Sequence, residues 1–310
     1  MQEIDLLEES RRIYAHRIVA LAEIDSATDI GREITMAFQT VHRENFVGRP
    51  PWKIISPEGQ FRGTSENTAD LYQDVLVALD AEKGLNNGQP SLHAFCLNVL
   101  APRKGEHTIH IGAGTGYYTA ILAELVGRSG QVDAYEIEPE LAHQAALNLA
   151  AFQRVQMHAR SGADAPLPEC DVLYVSAACA EPLPAWLDAL AHGGRLLLPM
   201  EPAGLSGRML LVTKQSEQRY GARFLCAVQF VACIGAQNSK QPECLKRRSV
   251  EGIGNRYGRF TAMAIPTKVA GALAKDGGCL RIKLPAELMF SKVLRPCSLR
   301  STTLKGFSTL

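Results

Sequence analysis

Gly112, Gly114 and Gly116 follow the apolar run Thr108-Ile109-His110-Ile111 and precede Tyr117. Glycine has no Cβ, so this spacing lets a strand turn sharply and leaves bare backbone amides against a nucleotide-like ligand. A dinucleotide loop reads Gly-x-Gly-x-x-Gly, and Tyr117 stands where its third glycine falls, which argues against NAD or FAD. A phosphate loop closes on Gly-Lys-Ser/Thr, which is missing here. The Gly-x-Gly-x-Gly form after a strand suits S-adenosyl-L-methionine, whose amino-acid end lies along the turn.

Such a loop needs a carboxylate for the ribose. Gln131-Val132-Asp133-Ala134-Tyr135-Glu136 reads as a second strand ending in an acid about twenty residues past the glycines, where a ribose diol is bound, so Glu136 is the predicted ribose ligand. Between them, residues 118–126 carry an apolar stripe at Ile121, Leu122 and Leu125, with Gly127 placed to stop a helix. The unit is βαβ. Pro139 then takes a first helical position with Glu140 behind it, and Leu141, Ala145, Leu149 and Phe152 continue a buried face.

The helices and strands that position this unit follow from periodicity. A helix is expected over residues 3–23, with Ile4, Leu7, Ile13, Ile18 and Leu21 on or near one face, and another over 29–41. Pro50-Pro51 and Ser56-Pro57-Glu58-Gly59 mark an irregular stretch, and residues 86–90 mark a second. Strands are expected at 108–111, 132–135, 155–159, 172–175, 195–198, 208–213 and 224–234. Their alternation with helices predicts an α/β fold, a mainly parallel seven-stranded sheet with helices on both faces, under a helical N-terminal layer.

The motifs resemble one family. The stretch from His110 to Leu125, Tyr135-Glu136 with Pro139-Glu140-Leu141, Asp171 to Ala178, and Gly193 to Pro199 look like the protein-L-isoaspartate O-methyltransferases, Rossmann-like class I methyltransferases. Arg43-Glu44-Asn45-Phe46-Val47, Tyr72-x-Asp74 and Pro90-Ser91-Leu92-His93-Ala94-Phe95-Cys96-Leu97 look like segments which that family carries ahead of its cofactor domain. The resemblance implies S-adenosyl-L-methionine held by His110, Gly112, Gly114, Gly116, Tyr117, Glu136 and Asp164. It also implies a substrate loop at Asn86, Asn87, Gly88 and Gln89, with His93 nearby, and a protein or peptide substrate. Three positions depart from the family. His110 replaces an acidic residue, Gly88 replaces a Ser or Thr hydroxyl in the substrate loop, and Gly162-Ala163-Asp164 replaces Gly-Asp-Gly, with Asp164 standing in from the neighbouring position.

Composition bounds the remainder. The 310 residues are 46% hydrophobic and 6% aromatic, ordinary for a globular protein. A net charge of +1 hides an asymmetry: residues 241–310 hold thirteen Lys and Arg against four Asp and Glu, so the tail carries +9 and the remainder −8. Three regions are expected: 1–98, helical with the substrate loop; 99–236, the cofactor-binding core; and 237–310, a basic and loosely packed extension. Its dispersed aromatic residues give no support for single-strand nucleic-acid binding. The start of the chain is not a signal peptide, no apolar run is long enough to span a bilayer, and eight cysteines without a Cys-x-x-Cys pair read as reduced thiols. A cytoplasmic protein is expected. Eight scattered histidines lack ligand spacing, so no metal is expected.

A methyl sulfonium is already an electrophile and a carboxylate is already ionised at neutral pH, so alignment and exclusion of water carry such a transfer. Ser176, Cys179 and His93 have no paired base at readable spacing and are read as packing or hydrogen-bonding residues. Base methylation is disfavoured, because Val175-Ser176-Ala177-Ala178-Cys179 stands where an adenine-N6 enzyme carries Asp/Asn-Pro-Pro-Tyr/Phe. The expected activity is methyl transfer to a carboxylate of a protein or peptide. A different acceptor (peptide natural product, small molecule or RNA) and a non-catalytic cofactor-binding protein are the alternatives.

Overall fold

The computed structural model describes residues 2–164, 166–216 and 219–236, and a hairpin in the tail. A seven-stranded sheet forms the centre, in the order β11-β10-β9-β8-β5-β6-β7. β5 (His107–Ile111), β6 (Gln131–Tyr135), β7 (Val155–His158), β8 (Cys170–Val175) and β9 (Leu190–Met200) run parallel, while β10 (Arg208–Ser216) is antiparallel to β9 and to β11 (Arg219–Ala227). The central strand β8 is apolar over Val172-Leu173-Tyr174-Val175 and buried there on both faces, whereas the edge strand β7 is only half-buried.

α4 (Tyr117–Val126) and α5 (Pro139–Asn148) form where expected, with Gly127 ending the first and Pro139 opening the second. α1 (Gln2–Leu21), α2 (Asp29–Thr40) and α3 (Pro90–Leu100) join α4 on one side of the sheet in a single core that runs from Tyr14 and Phe38 to Leu197. Thr28 starts α2 by accepting a hydrogen bond from Gly31 N. The opposite face packs around fully buried Trp186 on α6 (Pro184–Asp188). Across the sheet, the Asp133 carboxylate on β6 meets His107 Nε2 and His158 Nε2, each at 2.6 Å, which ties three strands together.

Four corrections follow. The buried face of α1 is Arg11, Tyr14, Ala15, Ile18 and Val19, whereas Ile13 and Leu21 are exposed. The stretch between Pro51 and Ser56 is a strand rather than irregular, and a second sheet went unpredicted: β1 (Trp52–Ile55), β2 (Phe61–Ser65), β3 (Leu76–Asp80) and β4 (Leu85–Asn86) pair in the order β2-β1-β3-β4. The seventh strand of the main sheet is Arg219–Ala227 rather than 224–234. Val228–Ile234 instead crosses to the end of β8, where Ala178 N donates to Val231 O and Cys233 N to Ala178 O, both at 2.7 Å. The expected seam at residue 98 falls inside α3, which packs in the shared core.

Of the expected tail, the described part is an antiparallel pair, β12 (Leu273–Asp276) with β13 (Cys279–Ile282). The expectation of loose packing for the remainder of 237–310 lies outside the described residues. Among the described residues no helix is long and apolar enough to cross a membrane, and no cluster of three His, Cys, Asp or Glu is placed to hold a metal ion.

Candidate functional site

The chain leaves β5 for β6 on one side and returns to β8 on the other, so a crevice opens at the carboxyl ends of β5 and β8, where open α/β sheets bind ligands. The glycine loop fills the mouth of that crevice. Gly112 N and Ala113 N donate to Tyr135 O at 2.9 and 3.1 Å, which ties the loop to the end of β6. Gly114 holds φ at +57°, where a side chain is disfavoured, and its N–H donates to Glu136 Oε2 at 2.7 Å. Glu138 N donates to Glu136 Oε1 at 3.0 Å.

Glu136 is 7% exposed and has no salt-bridge partner among the described residues. Burial raises its proton affinity above the ordinary carboxylate range, and the two backbone donors work against that rise. A carboxylate offers about four acceptor positions, so lone pairs remain for ligand hydroxyls, which would favour the charged form. Around it lies a cleft of about 770 Å³ with apolar walls from Leu79, Leu85, Ile137 and Leu141. A glycine loop without side chains, a buried acid lacking a cation among the described residues and apolar walls fit the amino-acid end, ribose and adenine of S-adenosylmethionine. Gly112, Gly114 and Glu136 would hold it.

Four predicted ligands do not line this cleft. His110 is buried, with Nδ1 on Thr119 Oγ1 at 2.8 Å and Nε2 on Ser176 Oγ at 3.0 Å. Burial pushes its pKa down to about 3, so it is a neutral crosslink whose influence on the cleft runs through Ser176. Gly116 caps α4, and a Cβ there would stand 2.7 Å from Leu149 Cδ1, so it serves packing. The Tyr117 ring packs against Phe38 and Phe46, with its hydroxyl 3.3 Å from that of Tyr14. Asp164 is exposed, and Ser161 and Gly162 take the wall position instead. Trp186 fixes that turn by donating to Gly162 O at 2.8 Å.

A second chamber of about 1570 Å³ adjoins the first and shares Leu79, Asn86, Gly112, Gly114, Ser176 and Val231 with it. The predicted substrate loop lines this space: Asn86, Asn87, Gly88, Gln89 and His93 all reach its wall. Their supports are buried. Fully buried Arg43 donates to Leu71 O, Val75 O and Asn87 Oδ1 from within the core. Asp74 accepts from Ser91 N, Ser91 Oγ and Gln89 Nε2 at 2.7–2.9 Å, which caps α3 and holds the loop at its start. Gly88 itself has φ +76°.

Sequence reading missed the roof and the far wall. Leu79 and Leu85 come from the β3–β4 hairpin, whose alternating Leu76-Val77-Ala78-Leu79 and turn glycine Gly84 are the signals that could have found it. Phe230 and Val231 come from the segment that leaves β11, and no local signal marks that departure.

Comparison with known proteins places these features in context. A family model described as protein-L-isoaspartate(D-aspartate) O-methyltransferase (PCMT) matches residues 23–238. The protein-L-isoaspartate O-methyltransferase of Methylorubrum populi is 35% identical over 174 residues, covering 55% of this chain and 79% of that protein. Its counterpart from Opitutus terrae is 31% identical over 209 residues, 66% of this chain and 80% of that protein. A solved protein-L-isoaspartate O-methyltransferase shares the fold with a TM-score of 0.61 at 22% identity, over 72% of this chain and 67% of that one. A beta-aspartate methyltransferase (PCMT) from Plasmodium falciparum, in complex with S-adenosyl-L-homocysteine, gives 0.58 at 18% identity, over 73% and 98%.

Proposed function

Because this chain belongs to the protein-L-isoaspartate(D-aspartate) O-methyltransferase family of S-adenosylmethionine-dependent methyltransferases, we propose that it esterifies an isoaspartyl or related carboxylate of a protein or peptide. The single observation that carries this reading is the pair of adjoining chambers, one built around Glu136 and the other around the substrate loop, with Gly112, Gly114 and Ser176 on both walls.

When bound, S-adenosylmethionine supplies an activated methyl, whose carbon–sulfur bond breaks, with its electron pair going to sulfur, as a carboxylate oxygen bonds the carbon. No proton leaves the acceptor, so the protein need not supply a base. Its residues orient and enclose. Glu136 fixes the ribose, Gly112 and Gly114 admit close approach by their bare backbone, and Leu79 and Val231 exclude water where the chambers meet. We read the main sheet with its helices, through residue 236, as the catalytic core, the N-terminal helices and the second sheet as its substrate-side layer, and residues 237–310 as an extension. A protein-repair role in the cytoplasm fits this activity.

Labelled methyl transfer into an isoaspartyl peptide, RNA and cell extract in parallel tests the reading. The expected product is base-labile label on peptide or protein. Alkali-stable label confined to RNA would overturn the carboxylate acceptor, and no label on any of the three would favour a binding protein without transfer.

A further inference from the structure

In the substrate chamber, the departure at Gly88 leaves a space that another side chain enters. A Cβ built on Gly88 would lie 2.3 Å from His93 Nε2 and 2.9 Å from His93 Cδ2, so the edge of the imidazole occupies the place where a residue at 88 would begin its side chain. His93 is 2% exposed and lies flat against Tyr118, with ring centroids 3.5 Å apart and planes 4° apart. Tyr118 in turn donates to Gly88 O at 3.3 Å, so loop and ring are held as one unit.

The protonation of that ring follows from its other nitrogen. Tyr174 is fully buried, and of the groups its hydroxyl meets, Ser176, Cys96 and His93 Nδ1 at 2.8 Å, the imidazole nitrogen is the strongest acceptor. A buried hydroxyl proton needs an acceptor, so Tyr174 donates and Nδ1 carries the lone pair. Burial first, then the nearby His110 and Arg43, push the imidazole well below its ordinary titration range and keep it neutral. The remaining proton is therefore on Nε2, which has no protein partner among the described residues and belongs to the chamber wall. The Nε2–H tautomer also removes the lone pair that would otherwise stand near a methyl donor.

Resting on the carboxylate acceptor proposed above, we infer that His93 is the hydrogen-bond donor that positions the acceptor carboxylate, in place of the hydroxyl absent at Gly88. Among the described residues the lining of the chamber contains no Lys or Arg and a single acid, Glu58, so the carboxylate meets neutral donors there and keeps the electron density it needs to attack.

The test uses the full chain, an isoaspartyl peptide and labelled cofactor. His93→Phe keeps the stacked ring and removes the donor. It should raise KM for the peptide at least tenfold and leave the affinity for S-adenosylhomocysteine within about twofold, while His93→Gln, which retains an N–H, should recover part of the loss. Gly88→Ser should fail to raise activity, because its Cβ displaces the imidazole and the backbone holds a positive φ. Independently of turnover, nitrogen NMR of the wild-type chain should find His93 neutral and protonated on Nε2 from pH 5 to 9. A wild-type KM and kcat in His93→Phe, a more active Gly88→Ser, or a proton on Nδ1 would each overturn the inference alone. A wild-type chain that neither binds nor methylates the peptide would remove the carboxylate reading and this inference with it.

Discussion

On the function proposed above, Glu136 is the residue on which cofactor binding turns. Its oxygens already accept two backbone N–H groups, and burial disfavours its charge, so two ligand hydroxyls would be received by a strongly accepting carboxylate. Glu136→Ala should weaken S-adenosylmethionine binding by about 1.5–3 kcal/mol, roughly tenfold to a hundredfold, and calorimetry reads it directly. The rise in melting temperature on adding cofactor should shrink in step. Gly112, Gly114 and Glu136 stand together on the cleft wall, as residue type and spacing led the sequence reading to expect, whereas Gly116 caps α4. His110, Tyr117 and Asp164 do not line that cleft, since chain position does not say which way a side chain turns: His110 turns into the core, Tyr117 packs on Phe46 beside the adjoining chamber, and Asp164 is exposed.

At the scale of elements, the β3–β4 hairpin is the roof of the cofactor cleft. Leu79 and Leu85 face the cleft, and Lys83 at the hairpin turn pairs with Glu138, two residues beyond the ribose carboxylate. The pair is exposed on its lysine side, so its contribution is small and falls with salt. Lys83→Ala should therefore leave the melting temperature nearly unchanged and speed cofactor release by about two- to fivefold at low salt, read by stopped flow. A salt-insensitive release rate identical to wild type would show that the latch does not act. This roof was hard to read because its strands are short and irregularly paired, and β3 is joined to β1 only through the distant pairs Ile54 with Val77 and Ile55 with Leu76. The seventh strand was misplaced for a related reason. Residues 224–234 are apolar enough to continue a strand, but Val228 N bonds Gly207 O and the chain then crosses to Ala178, a tertiary choice that no local period records. Among the parallel strands, β8 was legible from its apolar run Val172-Leu173-Tyr174-Val175, while β5 and β6 were legible from the glycine loop and the acid that follow them.

For the whole molecule, one core joins the N-terminal helices to the sheet, and the strands and loops of the site all precede Gln237. A chain ending at residue 238, the limit of the family match, should melt cooperatively and bind S-adenosylhomocysteine as the full chain does. Loss of the cooperative transition would mean that the extension supports the core. Stability should also follow pH through the clamp on Asp133. The hydrogen bond to Asp133 raises the His107 pKa above 6.5, against a smaller effect of burial. Burial would raise Asp133, but the hydrogen bonds from both histidines hold it below 3.8. The histidine contribution is full below 6.5 and fades as pH rises through the raised folded value. The aspartate contribution is full above 3.8 and fades as pH falls through the lowered one. His107→Gln should accordingly lower the melting temperature most near pH 5–6, with the difference from wild type shrinking toward pH 9. The common wall between the two chambers has a pharmacological consequence. A single compound that joins an adenosyl group to a carboxylate-bearing peptide would span both, so its second half would bind at the high effective concentration set by the first. Such a bisubstrate inhibitor should hold this chain more tightly than either half alone, and its linker length would measure the distance over which the methyl travels.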